Sequence, residues 1–166
     1  FKEPIDDAVI AKCAAYAARE HGDARKALDL LRVTGELAER NQVKITPELV
    51  DLAREKIEKN VVEETVKQLP KQYKLVLLTV YQLLASKDKT NTGDIYSSYT
   101  EICKKFGVTP LTLRRVTDII SELDLLSLIQ AKVVSKGRYG RTREIYTHFN
   151  REEINNLLNL IDSTLV

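Results

Sequence analysis

The chain contains no methionine and begins at Phe1. A complete translation product normally starts with methionine, so the expectation is a piece of a longer polypeptide, or one lacking upstream residues. No apolar run is long enough to cross a bilayer, which excludes a membrane-spanning helix, and the first residues have no secretory signal pattern. Cysteine is scarce: only Cys13 and Cys103, ninety positions apart. Both sit on apolar helix-like faces and read as reduced core thiols of a cytoplasmic protein, with a disulfide or a metal pair as the alternative. Charge of one sign is also missing. The 26 basic and 24 acidic residues leave a formal net charge of +2, so affinity for a polyanion has to come from local clustering. Also absent are a Gly-x-x-x-x-Gly-Lys-Ser/Thr phosphate loop, a Gly-x-Ser-x-Gly motif and a convincing carboxylate pair. His21 and His148 lack ligand-spaced neighbours, so neither a zinc site nor catalysis is expected of this chain.

What is present divides near Val62. With 43% apolar residues over 166 positions, the chain can build one or two real cores. Residues 1–62 read as helices. Asp6 or Asp7 caps the first, whose apolar positions are Ile5, Val9, Cys13 and Tyr16 or Ala17. Gly22 ends it. Asp23 caps a second helix that places Ala27, Leu30, Leu31, Thr34 and Ala38 on one side, and Asn41-Gln42 breaks it. Thr46-Pro47-Glu48 starts a third, with Leu49, Leu52, Ala53 and Ile57 as its buried face. Asn60-Val61-Val62-Glu63 has capping-box spacing and predicts a further short helix ending near Pro70.

Residues 63–166 follow a more distinctive order. An apolar helix runs from Lys71 to Ser86, followed by a polar loop from Lys87 to Asp94. Ser98-Tyr99-Thr100-Glu101 predicts a second capping box, opening a helix that Gly107 ends. Thr109-Pro110 opens the next, with Leu113, Val116, Ile120 and Leu123 inward. Leu126–Val134 and Arg143–Phe149 read as two strands around a turn containing Gly137 and Gly140. A last helix covers Arg151–Ile161. Three helices, a hairpin and a helix make a mainly α winged-helix order, with a helix-turn-helix core.

Two places look suited to nucleic acid. Between Ala131 and Arg143 lie Lys132, Lys136, Arg138, Arg141 and Arg143, with no acid among them. Cations on a glycine-containing tip can enter a DNA minor groove, and Tyr139 can lie against a sugar or base edge. The bland alternative is a solubilising loop. The helix from Pro110 to Leu123 leaves Leu111, Arg114, Arg115, Asp118 and Glu122 opposite its apolar stripe. Thr112, Arg114 and Arg115 stand where a recognition helix meets bases and phosphates, the alternative being a solvated face. The start of the Ser98–Phe106 helix is a further place for a phosphate.

The run from Gly22-Asp23-Ala24-Arg25 through Leu30-Leu31-Arg32, continued by Gly35-Glu36-Leu37-Ala38, resembles the sensor-two segment of the archaeal and eukaryotic origin-recognition initiators, which are AAA+ ATPases. Leu69-Pro70 through Lys74–Leu78, Arg114-Arg115-Val116 through Ser121–Asp124, and Gly137–Thr142 resemble the same family's winged helix. The resemblance implies a three-helix AAA+ lid over 1–62 and a winged-helix DNA-binding domain over 63–166. It implies that Arg25 is the sensor-two arginine, which reaches nucleotide phosphates only with the ATPase domain of the same polypeptide, and that ATP or ADP with Mg belongs to that longer protein. It further implies duplex origin DNA as partner, bound by Thr112, Arg114 and Arg115 on the helix and Lys136, Arg138, Tyr139, Arg141 and Arg143 on the wing. The replicative helicase is a further implied partner. Both Walker motifs and the sensor-one region are missing here, so no cofactor is expected for this chain alone. The rival readings are a winged-helix transcription regulator, against which the Gly22–Arg32 segment argues, and a winged-helix protein-interaction module.

Overall fold

The computed structural model describes residues 5–19, 22–135 and 141–165. It divides into two compact units, Phe1–Val62 and Glu63–Val166.

The first unit is built on α1 (Asp7–Arg19), α2 (Ala24–Asn41) and the first part of α3 (Pro47–Gln68). Its helix ends are set by local chemistry. Asp6 accepts from the Ala8 N–H at 2.9 Å and Asp23 from the Arg25 N–H at 2.9 Å, supplying donors that a helix start leaves without partners. Gly22 takes a φ of +72° just beyond α1, and Gln42 takes 54° at the end of α2, where its N–H closes onto Ala38 and Glu39. Val9 and Cys13, then Leu30, Val33, Leu37 and Ala38, then Leu49, Val50 and Ala53 form the core. Thr34 is buried with its hydroxyl donating to the Leu30 carbonyl at 2.7 Å. On α3 the buried stripe is Leu49, Val50 and Ala53, which leaves Leu52 outside it and 54% exposed, contrary to expectation, and Ile57 half-buried. A polar cluster joins α1 to α3: Lys12 donates to Asp51 at 2.7 Å and to the Pro47 carbonyl at 2.8 Å, and Tyr16 donates to Asp51 at 2.6 Å.

The expected break at Asn60 is not there: α3 runs unbroken to Gln68. A capping box needs an extended residue at its head, and nothing between Glu48 and Leu69 is glycine or proline, so no residue forces the backbone out of the helix.

In the second unit α4 (Lys71–Leu84) is the central element, buried on nearly every side from Lys74 through Tyr81. Around it lie α5 (Thr92–Lys105), α6 (Leu113–Leu125) and α7 (Arg151–Leu165). The Tyr81 hydroxyl donates to the Leu128 carbonyl at 2.8 Å, and its ring meets Phe149 edge-on at 6.3 Å. Burial pushes the Tyr81 phenol up. Strands β2 (Gln130–Ser135) and β3 (Arg141–Tyr146) pair antiparallel, with Ser135 opposite Arg141 and Gln130 opposite Tyr146. A two-residue strand unforeseen in the sequence, β1 (Thr90–Asn91), joins the other edge of β3, giving the order β1-β3-β2.

Several boundaries differ from expectation, among them β3, which spans Arg141–Tyr146 and not Arg143–Phe149. α5 starts at Thr92, capped by Asn91, whose side chain accepts from Asp94; Ser98–Glu101 therefore lies mid-helix. α6 starts at Leu113, capped by Thr112, and Pro110 lies in the preceding connection. β2 starts at Gln130, because Leu126 still caps α6 and Ser127 takes a φ of 58°. α7 extends to Leu165; its start is a reciprocal cap, with Asn150 and Glu153 each accepting the other's N–H at 2.8–3.0 Å.

Candidate nucleic-acid interface

The helix-turn-helix join is positioned by α4 and α5. Gly107, at φ +62°, ends α5, and the Val108 N–H returns to the Cys103 carbonyl at 2.9 Å. Tyr99, wholly buried on α5, donates its hydroxyl to Gln72 at 2.5 Å and accepts the Leu111 N–H at 3.0 Å. Gln72 in turn donates to the Thr109 carbonyl at 3.0 Å. The connection between α5 and α6 is thus held at two points, Thr109 and Leu111, by two side chains that are bonded to each other. Burial raises the Tyr99 phenol to about 12, against the lowering effect of the Leu111 N–H. Sequence reading missed Gln72, because its partners lie 27 and 37 positions away.

On α6, Val116, Ile119, Ile120 and Leu123 face the core. Leu113, expected inward, is 48% exposed. Arg114, Thr117 and Ser121 follow the i, i+3, i+7 spacing and therefore form one outer stripe. Arg114 is exposed, and among the described residues its side chain has no partner. Arg143, from β3, donates to the Ser121 hydroxyl at 2.5 Å and to the Thr117 carbonyl at 3.4 Å. The base of the hairpin is therefore fastened to the stripe that carries Arg114. The Ala131 N–H of β2 bonds to Asp124 at 3.2 Å, adding a second tie.

Arg115 sits a third of a turn away. It donates to the Tyr73 hydroxyl at 3.0 Å and to Glu122 at 3.4 Å, and Asp118 stands 4.0 Å from it. Tyr73 donates to Glu122 at 2.5 Å, a bond to the carboxylate that holds its phenol above the ordinary range. Adjacent arginines thus have different environments, and Tyr73, 42 positions from Arg115, carried no local signal of this. Thr112 accepts from the Arg115 N–H at 3.4 Å as the cap of α6. Lys132 is exposed on β2 opposite Glu144, which Lys89 meets at 3.0 Å. Arg141 opens β3; Lys136, Arg138 and Tyr139 lie outside the described residues. The start of α5 is an unpromising place for a phosphate, since Asn91 and the acid Asp94 already occupy it.

In the first unit Arg25 lies in the first turn of α2, exposed, with no side-chain partner among the described residues. Cys13 and Cys103 are both free and buried. Among the described residues there is no metal-binding cluster, and no helix is long and apolar enough to cross a membrane.

Two family models match the chain. The Cdc6 AAA+ ATPase-type lid domain matches residues 2–55, and the CDC6 C-terminal winged helix domain matches 64–156. The chain belongs to the Cdc6 family of replication proteins. An ORC1-type DNA replication protein of Pyrococcus furiosus is 53% identical over 156 residues, which is 93% of this chain and 37% of that protein. The ORC1-type DNA replication protein 1 of Sulfurisphaera tokodaii is 49% identical over 167 residues, covering 99% of this chain and 42% of the relative. Among solved structures, the Aeropyrum pernix ORC1 protein in complex with DNA is similar with a TM-score of 0.81 and 46% identity, over 97% of this chain and 43% of that one. The chain spans about two fifths of the length of these relatives. It carries the Cdc6 lid and the Cdc6 winged helix in that order, and the Arg114 stripe with its fastened hairpin belongs to the latter.

Proposed function

We propose that this Cdc6 chain is the DNA-binding C-terminal part of an ATP-regulated replication initiator, with α6 entering the major groove of duplex origin DNA and the wing its minor groove. One observation carries the reading: Arg114, exposed and without a side-chain partner among the described residues, and the Arg143-anchored base of the wing share one stripe of α6. A helix and a hairpin locked together at that stripe approach adjacent grooves as a single body. The similarity to an ORC1 protein in complex with DNA supports it. Arg114 then meets a phosphate or a base edge, and Lys136, Arg138, Tyr139 and Arg141 serve the wing. Thr112 and Arg143 hold the helix and hairpin in place as well as lying near the contact.

In the lid, an exposed arginine at the first turn of α2 suits a phosphate sensor. The residues present fit a nucleotide only in that part: Arg25 offers a cation, and this sequence has no loop to cradle phosphates. ATP or ADP with Mg would be held by the ATPase domain of the longer polypeptide, and the chain alone neither binds ATP tightly nor hydrolyses it. Recruitment of the replicative helicase belongs to that longer protein.

The test is a salt titration of binding to origin-like and scrambled duplexes. Neutralising about five phosphates gives a log–log slope of roughly −4 to −5. Arg138→Ala with Arg141→Ala should weaken binding at least about tenfold and flatten that slope. Unchanged affinity in a folded double variant would remove the wing from the interface.

A further inference from the structure

We propose that Arg114 and Arg115 have separate tasks: Arg114 meets the DNA, whereas Arg115 is a positioning residue that masks Asp118 and Glu122 and ties α6 to Tyr73 of α4. This rests on the duplex-binding reading above.

The two side chains leave α6 about 100° apart, so one helix pose does not present both equally to a groove. Arg115 is already engaged. Its guanidinium donates to the Tyr73 hydroxyl at 3.0 Å, and that hydroxyl donates to Glu122 at 2.5 Å, while a second Arg115 nitrogen reaches Glu122 directly at 3.4 Å. The bonds run in one direction through the hydroxyl, which gives its only hydrogen to the carboxylate and takes one from the cation. Arg115 is also 4.0 Å from Asp118. Asp118 and Glu122 are one turn apart, with side chains about half exposed. A polyanion approaching α6 would meet two carboxylates if Arg115 left them. A phosphate claiming Arg115 would therefore break the tie to α4 and uncover two like charges beside itself. Among the described residues Arg114 has no such bonds to give up.

The experiment is duplex titration of the whole chain over a salt series, with a melting curve for each variant. Arg114→Ala should lower affinity and make the slope shallower by about one, as for one lost phosphate contact. Arg115→Ala should weaken binding by exposing the acids. Adding Asp118→Asn and Glu122→Gln to it should restore affinity to within about threefold and keep the original slope, since no phosphate contact was lost. Tyr73→Phe keeps every charge and guards against a misfolded triple variant: its melting temperature should fall and its slope stay. A triple variant as weak as Arg114→Ala, with a slope shallower by about one, overturns the division of tasks. So does an unchanged slope for Arg114→Ala, or a changed one for Tyr73→Phe. If the unaltered chain shows no salt-dependent duplex binding, the duplex reading falls first and takes this inference with it.

Discussion

Tyr99 has no exposed surface, yet its hydroxyl serves two partners, Gln72 and the Leu111 N–H. Phenylalanine fills the same space and removes both bonds, and losing a hydrogen bond costs about 0.5–1.5 kcal/mol. Tyr99→Phe should lower the urea midpoint at unchanged slope; an unmoved midpoint would mean that packing alone holds the turn. Asp51 makes a different prediction. Its bonds from Lys12, and then from Tyr16, hold its carboxyl below the ordinary range, and the same Asp51 bond raises Lys12. A depressed carboxyl stabilises the fold above its unfolded pKa, and that gain is lost as pH falls through the lower folded value. A raised lysine stabilises below its unfolded pKa, and that gain is lost as pH rises through the higher folded value. The pair thus contributes between the carboxylate and lysine ranges. Asp51→Asn should cut stability at neutral pH and leave a flatter stability curve at both extremes, measured by thermal unfolding across pH. An unchanged acid limb would remove Asp51 from that role.

At the scale of elements, helix starts separate what a sequence shows from what it hides. Asp23, Thr46-Pro47 and Gly107 mark boundaries correctly, since each acts on the backbone within a turn of itself. Ser98–Glu101 and Asn60–Glu63 have the same kind of pattern but lie inside helices, because Asn91 had already started one and nothing had ended the other. A cap works only where the chain is extended before it, and that depends on neighbours outside the motif. Asn91→Ala should therefore cost about 1 kcal/mol, while Ser98→Ala, mid-helix, should cost nothing or gain a few tenths. The reverse ranking in chemical unfolding would restore the later start. The winged-helix order was legible from apolar periodicity and the two β-rich runs. β1 was not, since two residues have no periodicity and owe their state to pairing with Ile145 and Glu144. Arg114 was recognisable as an exposed cation. The capture of Arg115 was not, because Tyr73 comes from another helix 42 positions away.

For the molecule as a whole, charge is divided unevenly but weakly. Residues 1–62 hold 11 basic and 12 acidic side chains, a net of −1, and residues 63–166 hold 15 and 12, a net of +3. Three surplus charges do not by themselves account for duplex affinity, since each contributes only through the phosphate it neutralises. What matters is that the surplus gathers on one segment, with five cations and no acid from Ala131 to Arg143. The first unit has the opposite balance, and among the described residues two of its five arginines face acids on their own helices, Arg32 with Asp29 and Arg54 with Glu58. Screening confines exposed charges to about 8–10 Å at physiological salt. An exposed cation of the lid therefore adds to duplex binding only if it touches the DNA itself. Arg25, proposed above to meet a nucleotide phosphate, should not. Arg25→Ala is expected to leave both duplex affinity and salt slope of the chain unchanged within about twofold, because no counterion is released through it. A slope shallower by about one in that variant would place Arg25 on DNA and move the interface onto the lid.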